Sequence, residues 1–360
     1  MKEHRTIVKE AQSAVIATRA AAPAARKGPA ALSAIVTARN DERWLERLLV
    51  DLTQQEESCP PFEVVIVEAG SFELPPPLEA SMRSRFAFQF IRIPGIPRSK
   101  ALNLAFERAA SPFVVRLDAR THIGPEYLRL LYELRKKTGA ENVGGVKVPM
   151  GLHTSQRIIA EVMKQPFCFG GAAFRRESYR GLADTVYLGA YDREAVRRVG
   201  GFDEEWLLIS EDADLNARLR DAGHRVYVDS SIKAYYFARE TPREFVKLCR
   251  GYGVSRVLFL RKHRRITGIR QLAVPLFFAS FVLFGAAAVA TGFLPFVIAA
   301  AAESLCYGVL LLGSSVLVAR SVREKPIRAF AMAMRLFVIA HTYWLEGMIK
   351  GLAQQKDRKS

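Results

Sequence analysis

The stretch Phe62-Glu-Val-Val-Ile-Val67 decides the fold. A half-buried strand alternates apolar and polar residues, and this run does not. A near-continuous apolar strand belongs to a parallel sheet covered on both faces. Upstream, Ser33-Ala-Ile-Val-Thr37 is a shorter β-branched run, and residues 41–55 carry Trp44, Leu45, Leu48, Leu49 and Leu52 at helical spacing. Downstream, residues 86–93 suggest another strand, Lys100–Ala109 a helix, and Phe113-Val-Val-Arg-Leu117 a strand ending at Asp118. The order βαβαβ predicts an α/β fold with a doubly wound, mostly parallel sheet flanked by helices. Ligands of such folds sit at the carboxyl ends of the strands. The polar residues just past those ends are Thr37, Arg39, Asn40 and Asp41, then Glu68, Gly70 and Ser71, then Asp118. They are expected to converge on one crevice. The first strand is followed by no G-x-G-x-x-G, and the chain has no P-loop, so a dehydrogenase or a P-loop NTPase loses support.

The 360 residues carry a formal net charge of +17. Its distribution matters more than its size. Residues 1–30 are net +4, residues 31–238 net zero, residues 239–270 net +8, and residues 320–360 net +6. The block 271–319 between them contains one charge, Glu303. A nucleic-acid binder spreads basic residues over its folded domain, so no nucleic acid is expected as a partner. Here the excess brackets an apolar segment.

That segment is long enough for two bilayer spans of about 20 residues each. The turn falls at Thr291-Gly-Phe-Leu-Pro295, which places spans near 272–290 and 296–319. A buried hairpin of a soluble protein is the alternative, but such hairpins show a polar face. Arg261, Lys262, Arg264 and Arg265 precede the block, and Arg320, Arg323, Lys325 and Arg328 follow it. The positive-inside rule puts both outer ends in the cytoplasm. Residues 329–349 form a third apolar stretch, interrupted by Arg335, His341 and Glu346. A helix in the interface or packed on the hairpin is expected there, with a third span as the alternative. Residues 1–30 read as a flexible basic tail rather than a signal peptide, because Arg19 breaks the Ala-rich run. The four cysteines have no metal-like spacing and fit reduced thiols.

Several separated motifs then occur in order. They are Thr37-Ala-Arg-Asn-Asp41, Val64-Val-Ile-Val-Glu-Ala-Gly-Ser71, Leu117-Asp-Ala119, Gly200-Gly-Phe-Asp203 and Ser210-Glu-Asp-Ala-Asp-Leu-Asn-Ala-Arg-Leu-Arg220. Together they resemble the nucleotide-binding opening, the strand end, the D-x-D and the catalytic block of family 2 glycosyltransferases with the GT-A fold. Thr138–Gly145, Asp184–Tyr191 and Leu260–Arg264 are similar to the branch that contains succinoglycan-biosynthesis glucosyltransferases.

The resemblance implies an inverting single displacement and assigns roles. Asp212 is the expected base beside Glu211, with Asp214 and Arg218 supporting the site; ordinary helix capping is the competing reading of these acids. Thr37, Arg39, Asp41, Glu68, Ser71, Arg98, Asn103 and Asp118 would bind the nucleotide-sugar. Gly171, Gly189 and Tyr191 would line the acceptor side, although tight turns explain the glycines equally well. Arg250 and Arg256 occupy the place of a diphosphate-binding Q/R-x-x-R-W motif, without its Trp. The family's D-x-D is Asp118-Ala119-Arg120 here, so the metal, Mg²⁺ or Mn²⁺, would have Asp118 as its one clear ligand. His122, two residues on, is a candidate substitute ligand, with a solvent-facing position as the alternative. Expected partners are a nucleotide-sugar donor, plausibly UDP-glucose, a lipid-linked saccharide acceptor, and membrane lipids. The resulting organisation is a tail (1–30), a GT-A domain (31–240), a basic interfacial segment (241–270), two spans (271–319) and a third membrane-associated helix with a basic tail (320–360). The domain would face the cytoplasm from the inner membrane. A membrane-anchored binding or scaffold protein that has lost activity is the alternative.

Overall fold

The computed structural model describes residues 29–205, 210–265 and 272–354. The expectation of a flexible tail lies almost wholly outside these residues. The chain forms two compact units, one of Met1–Val148 with Ala172–Phe237 and one of Pro149–Gly171 with Ala238–Ser360.

The first unit opens with β1 (Leu32–Ala38), α1 (Glu42–Thr53), β2 (Phe62–Glu68), α2 (Pro76–Arg85), β3 (Phe88–Arg92), α3 (Arg98–Arg108) and β4 (Phe113–Asp118). β1 pairs in parallel with β2 on one side and β4 on the other, and β2 pairs in parallel with β3. Every residue of β2 is buried, as its unbroken apolar run requires. The order of strand addition reverses between the parallel neighbours β1 and β4, which is the switch point where doubly wound sheets bind ligands.

Then come β5 (Thr121–Ile123), α4 (Tyr127–Thr138), β6 (Asn142–Met150), α5 (Thr154–Lys164), α6 (Pro166–Phe169), β7 (Arg180–Leu182), β8 (Tyr187–Asp192), α7 (Arg193–Arg198), α8 (Glu211–Asp221) and β9 (Val226–Phe237). The sheet order is β3-β2-β1-β4-β8-β6-β9-β5, with β7 on β9. The later strands join antiparallel, so the sheet is mixed. A core cluster lies against the β1–β4 region. In it Phe106, Tyr191 and Phe202 pack edge to face, with ring centroids 5.6–6.2 Å apart. Burying each such ring contributes about 1.5–3 kcal/mol.

The second unit holds α9 (Pro242–His263), α10 (Ala273–Thr291), α11 (Leu294–Ser321) and α12 (Pro326–Ala353). Helices α10 and α11 match the two expected spans, and the turn between them is closed by Gly292 in the left-handed conformation. Both are long and apolar enough to cross a membrane. Their apolar surface is uncovered, with Val289 89% and Leu305 69% exposed. A hairpin inside a soluble core would be covered, so that alternative fails. Helix α12 packs on α9, α11 and α5. Its crossing with α9 brings backbone against backbone. A Cβ on Gly253 would strike the Trp344 carbonyl, and one on Gly347 the Arg250 carbonyl.

The segment Pro149–Gly171, expected inside the catalytic domain, belongs with these helices. Arg157 pairs with Glu324 at 2.8 Å, the Phe167 carbonyl lies 2.7 Å from His341 Nε2, and Phe169 packs on Phe245 and Tyr252.

Candidate active site

Strand register sets the floor of the site. Thr37 stands opposite Asp118, and Ala38 opposite Glu68, so three carboxyl ends lie on adjacent rungs. Glu68 is fully buried, and its Oε1 accepts the Gly70 N–H at 2.6 Å. A side chain at Gly70 would collide with that carboxylate and with Asn40, so glycine is what lets the carboxylate fold back. Burial raises the Glu68 carboxyl above its ordinary range, against the Gly70 and Asn40 N–H groups. Glu68 Oε2 and Thr37 Oγ1 are buried without a hydrogen-bond partner. Buried orphan oxygens are costly, and at a strand-end crevice they suit the hydroxyls of a ligand.

Beside this floor, two arginines hold two carboxylates. Arg98, at the start of α3, donates to Glu211 Oε1 and to Asp118 Oδ1, both at 2.8 Å. Arg116, in the middle of β4, donates to Glu211 Oε1 at 2.7 Å and to Asp118 Oδ1 at 3.3 Å. Burial alone would raise the Asp118 carboxyl, but Arg98, Arg116 and Lys147 hold it well below the ordinary range. Burial is likewise overcome at Glu211 by the same two arginines. Asp212 behaves oppositely. Burial and the neighbouring Glu211 charge push it up, because Arg116 compensates only in part. Its Oδ1 accepts the Ala213 N–H at 2.8 Å. The site thus pairs one acid kept ionised with one shifted towards neutrality, the arrangement that separates electrostatic and proton-transfer roles.

The backbone at the start of α8 is held under strain. Ser210 caps the helix with φ +65°, in the left-handed region that non-glycine residues rarely occupy. Such strain persists where the surroundings enforce it. Asp214 is fully buried and paired with Arg218 at 2.7 Å, and Arg218 donates to the carbonyls of Val199 and Gly201. These bonds tie α8 to the Gly200-Gly201-Phe202 turn, whose two glycines have φ +84° and +69°. Asn103 closes the same turn. Its Oδ1 accepts the Phe202 N–H at 2.7 Å, and its Nδ2 donates to the Phe202 carbonyl at 2.9 Å and to Glu204.

Other expected residues fall as follows. Asp41 accepts from Arg120 Nε at 2.9 Å, and the Arg120 guanidinium lies 5.4 Å from the Trp44 ring. Arg39 and Ser71 are exposed at the strand ends. His122 neither faces solvent nor joins Asp118; it lies 3.0 Å from the buried Asp51. Tyr191, expected on the acceptor side, is fully buried in the core cluster, because its position in β8 points the ring between α3 and Phe202. Gly189 leaves room for that ring, since a Cβ there would sit 2.5 Å from it. Gly171 lies in the second unit, half-buried. Arg250 is there too, bonded to Glu346 at 2.8 Å and 5.1 Å from the Tyr343 ring, while Arg256 lies over Phe259. Arg116 and Lys147 were not singled out from the sequence. The available signal for Arg116 was a charge inside an otherwise apolar strand. Among the described residues, no group of three or more His, Cys, Asp or Glu is arranged to hold a metal.

Residues 33–200 match the family model described as glycosyl transferase family 2. The chain is 30% identical to the succinoglycan biosynthesis protein ExoA of Rhizobium meliloti over 199 residues, 55% of this chain and 59% of that relative's length. It is 21% identical over 239 residues to a Methanococcus voltae dolichyl N-acetyl-α-D-glucosaminyl phosphate 3-β-D-2,3-diacetamido-2,3-dideoxy-β-D-glucuronosyltransferase, covering 64% of this chain and 74% of that one. Among solved structures, the mannosyltransferase PcManGT of Pyrobaculum calidifontis, in complex with GDP-Man and Mn²⁺, superimposes with a TM-score of 0.56 at 15% identity, over 98% of this chain and 95% of its own. The strand-end carboxylates thus lie in a region, residues 33–200, that matches the family 2 glycosyl transferase model, in a chain that shares its GT-A fold with that mannosyltransferase and ends in two helices long and apolar enough to cross a bilayer.

Proposed function

We propose that this protein is an inverting glycosyltransferase that moves a hexose from a nucleotide-sugar, plausibly UDP-glucose, to a membrane lipid-linked acceptor in cell-surface polysaccharide or glycolipid synthesis. The observation that carries it is the split between the adjacent carboxylates Glu211 and Asp212: Arg98 and Arg116 bond Glu211 and keep it charged, while burial and the Glu211 charge push Asp212 up. Asp212 acts as the base. The acceptor hydroxyl oxygen bonds to the anomeric carbon, its proton passes to the Asp212 carboxylate, and the bond to the nucleoside diphosphate breaks. A base raised towards neutral pH both ionises and accepts a proton effectively. Glu211 stays charged and fixes Arg98 and Arg116 at the floor of the site.

Glu68 and Thr37 would bind donor hydroxyls, with Asp41, Arg39 and Ser71 at the same strand ends; the orphan oxygens Glu68 Oε2 and Thr37 Oγ1 support this. Asn103 positions the Phe202 turn beside them. The residue available for a divalent cation, Mg²⁺ or Mn²⁺, is Asp118. Its Oδ1 is taken by the arginines, which leaves Oδ2. One carboxylate oxygen suits an ion whose other ligands are water and substrate phosphates. Such an ion would supply charge neutralisation at the leaving diphosphate, which Arg98 would share. Gly189 would border the acceptor.

Helices α10 and α11 span the inner membrane with both outer ends in the cytoplasm. The basic residues beyond each end support that orientation. Holding enzyme and lipid-linked acceptor in one plane raises their effective concentration.

The test is transfer of label from UDP- and GDP-sugars to lipid-extractable product in membranes carrying the wild type or Asp212→Asn. The variant should lose transfer by about 10²–10⁴-fold. Equal incorporation by both would end the assignment of Asp212 as base.

A further inference from the structure

Helix α12 is largely apolar, yet Arg335 interrupts it, with Arg328 two turns earlier on the same face. Seven residues of helix set the two about 10 Å apart along the axis. Together with Pro242, Met332, Leu336 and Ile339 they line a cavity of ≈ 290 Å³. Arg328 reaches only the Ser155 hydroxyl, at 3.4 Å. Arg335 has no hydrogen bond or ion pair among the described residues.

The described acids of this unit are engaged elsewhere. Glu324 holds Arg157 at 2.8 Å, Glu346 holds Arg250 and Lys350 at 2.8 and 2.7 Å, and Glu161 holds Lys164 at 2.7 Å. Glu244 accepts the Glu240 N–H at 2.9 Å, and Glu303 is bonded to Ser280. The cavity therefore has an apolar wall with two exposed arginines among its lining residues, and no acid among the described residues is bonded to either.

A ligand that fits must be both anionic and apolar. Inorganic phosphate would leave the wall of Met332, Leu336 and Ile339 unused, and a neutral lipid would leave the guanidiniums unpaired. The same unit exposes the apolar surfaces of α10 and α11, so the cavity belongs to a part of the chain that meets lipid. We propose that this cavity binds the phosphate headgroup of an anionic glycerophospholipid, with Arg328 and Arg335 on the phosphate and an acyl chain along α12. Guanidinium groups suit this task because they bind phosphate through two parallel N–H bonds and can bend towards the interface from an apolar stem.

The experiment titrates full-length, delipidated protein in detergent with phosphatidylglycerol and counts bound lipid by native mass spectrometry. Wild type should retain one phosphatidylglycerol more tightly than phosphatidylcholine. Arg335→Gln should weaken that binding by about fivefold, and Arg328→Gln with Arg335→Gln by about 25-fold, at about 1 kcal/mol per lost charge. Arg323→Gln, outside the cavity, should leave it unchanged, as should added inorganic phosphate. Thermal midpoints without lipid should be the same for all variants. The proposal is overturned if the double variant keeps wild-type affinity, if Arg323→Gln weakens binding as much as Arg335→Gln, or if inorganic phosphate displaces the lipid at equal concentration.

Discussion

Replacing Arg116 by Met removes the guanidinium that sits 2.7 Å from Glu211 and 3.3 Å from Asp118, and keeps a side chain able to fill the space. The Arg116 and Glu211 side chains are each 5% exposed. Breaking a buried pair from one side costs about 3–5 kcal/mol, because the remaining charge is left desolvated. Arg98 stays on the same two oxygens at 2.8 Å, so the lower end, about 3 kcal/mol, is expected. For a domain of 150–250 residues that lowers the thermal midpoint by roughly 6–12 °C. The pH dependence should move as well. Asp118 and Glu211 are held below their ordinary values, so their contribution is complete above the ordinary carboxylate range and is lost as pH falls through the depressed folded values. Without Arg116 those values rise towards the ordinary ones, so the loss on acidification becomes smaller and is complete at a higher pH. Thermal unfolding of the detergent-solubilised protein between about pH 2 and about pH 8 measures both effects. Adding Glu211→Gln to the Met variant removes the stranded charge and should recover part of the loss. A Met variant with the wild-type midpoint and the wild-type acid limb would refute the reasoning.

Asn103→Ala should destabilise by about 1–3 kcal/mol, read from the thermal midpoint, because the Phe202 N–H and carbonyl both lose their partner. The rate of transfer should fall on the acid side through a group above the ordinary aspartate range, because Asp212 must be ionised to act and its carboxyl is raised; a kcat profile against pH locates that limb, and Asp212→Asn should abolish it. Chelation with EDTA should lower transfer, and Mg²⁺ or Mn²⁺ should restore it; an unchanged rate would leave the charge neutralisation to the arginines alone.

The strands were legible because burial on both faces leaves a local mark. Phe62–Glu68 and Phe113–Asp118 are apolar runs that end at the residues lining the crevice, and the spans of α10 and α11 follow from length and absence of charge. Contacts between distant residues leave no such mark. Asn103 was singled out in the right region, but its partner Phe202 lies 99 positions away. Arg116 reads as an irregularity in β4 until Glu211, 95 positions later, is brought against it. Tyr191 ends the Asp184–Tyr191 motif and reads as an acceptor-side residue, and only the sheet shows that β8 turns it into the core. Residues 149–171 look continuous with the catalytic domain, and their true neighbours begin at Ala238.

The glycine crossing of α9 and α12 bears on how this architecture can be cut or exchanged. Where carbonyls of one helix rest on the glycines of another, neither surface is finished alone. A chain ending before Pro326 would uncover the backbone around Arg250 and Gly253 and strip Arg250 of Glu346. The two helices are therefore expected to be inherited or transplanted as one cassette. Trimming the C-terminal helix to gain solubility would undo the segment that bears the diphosphate-motif arginines.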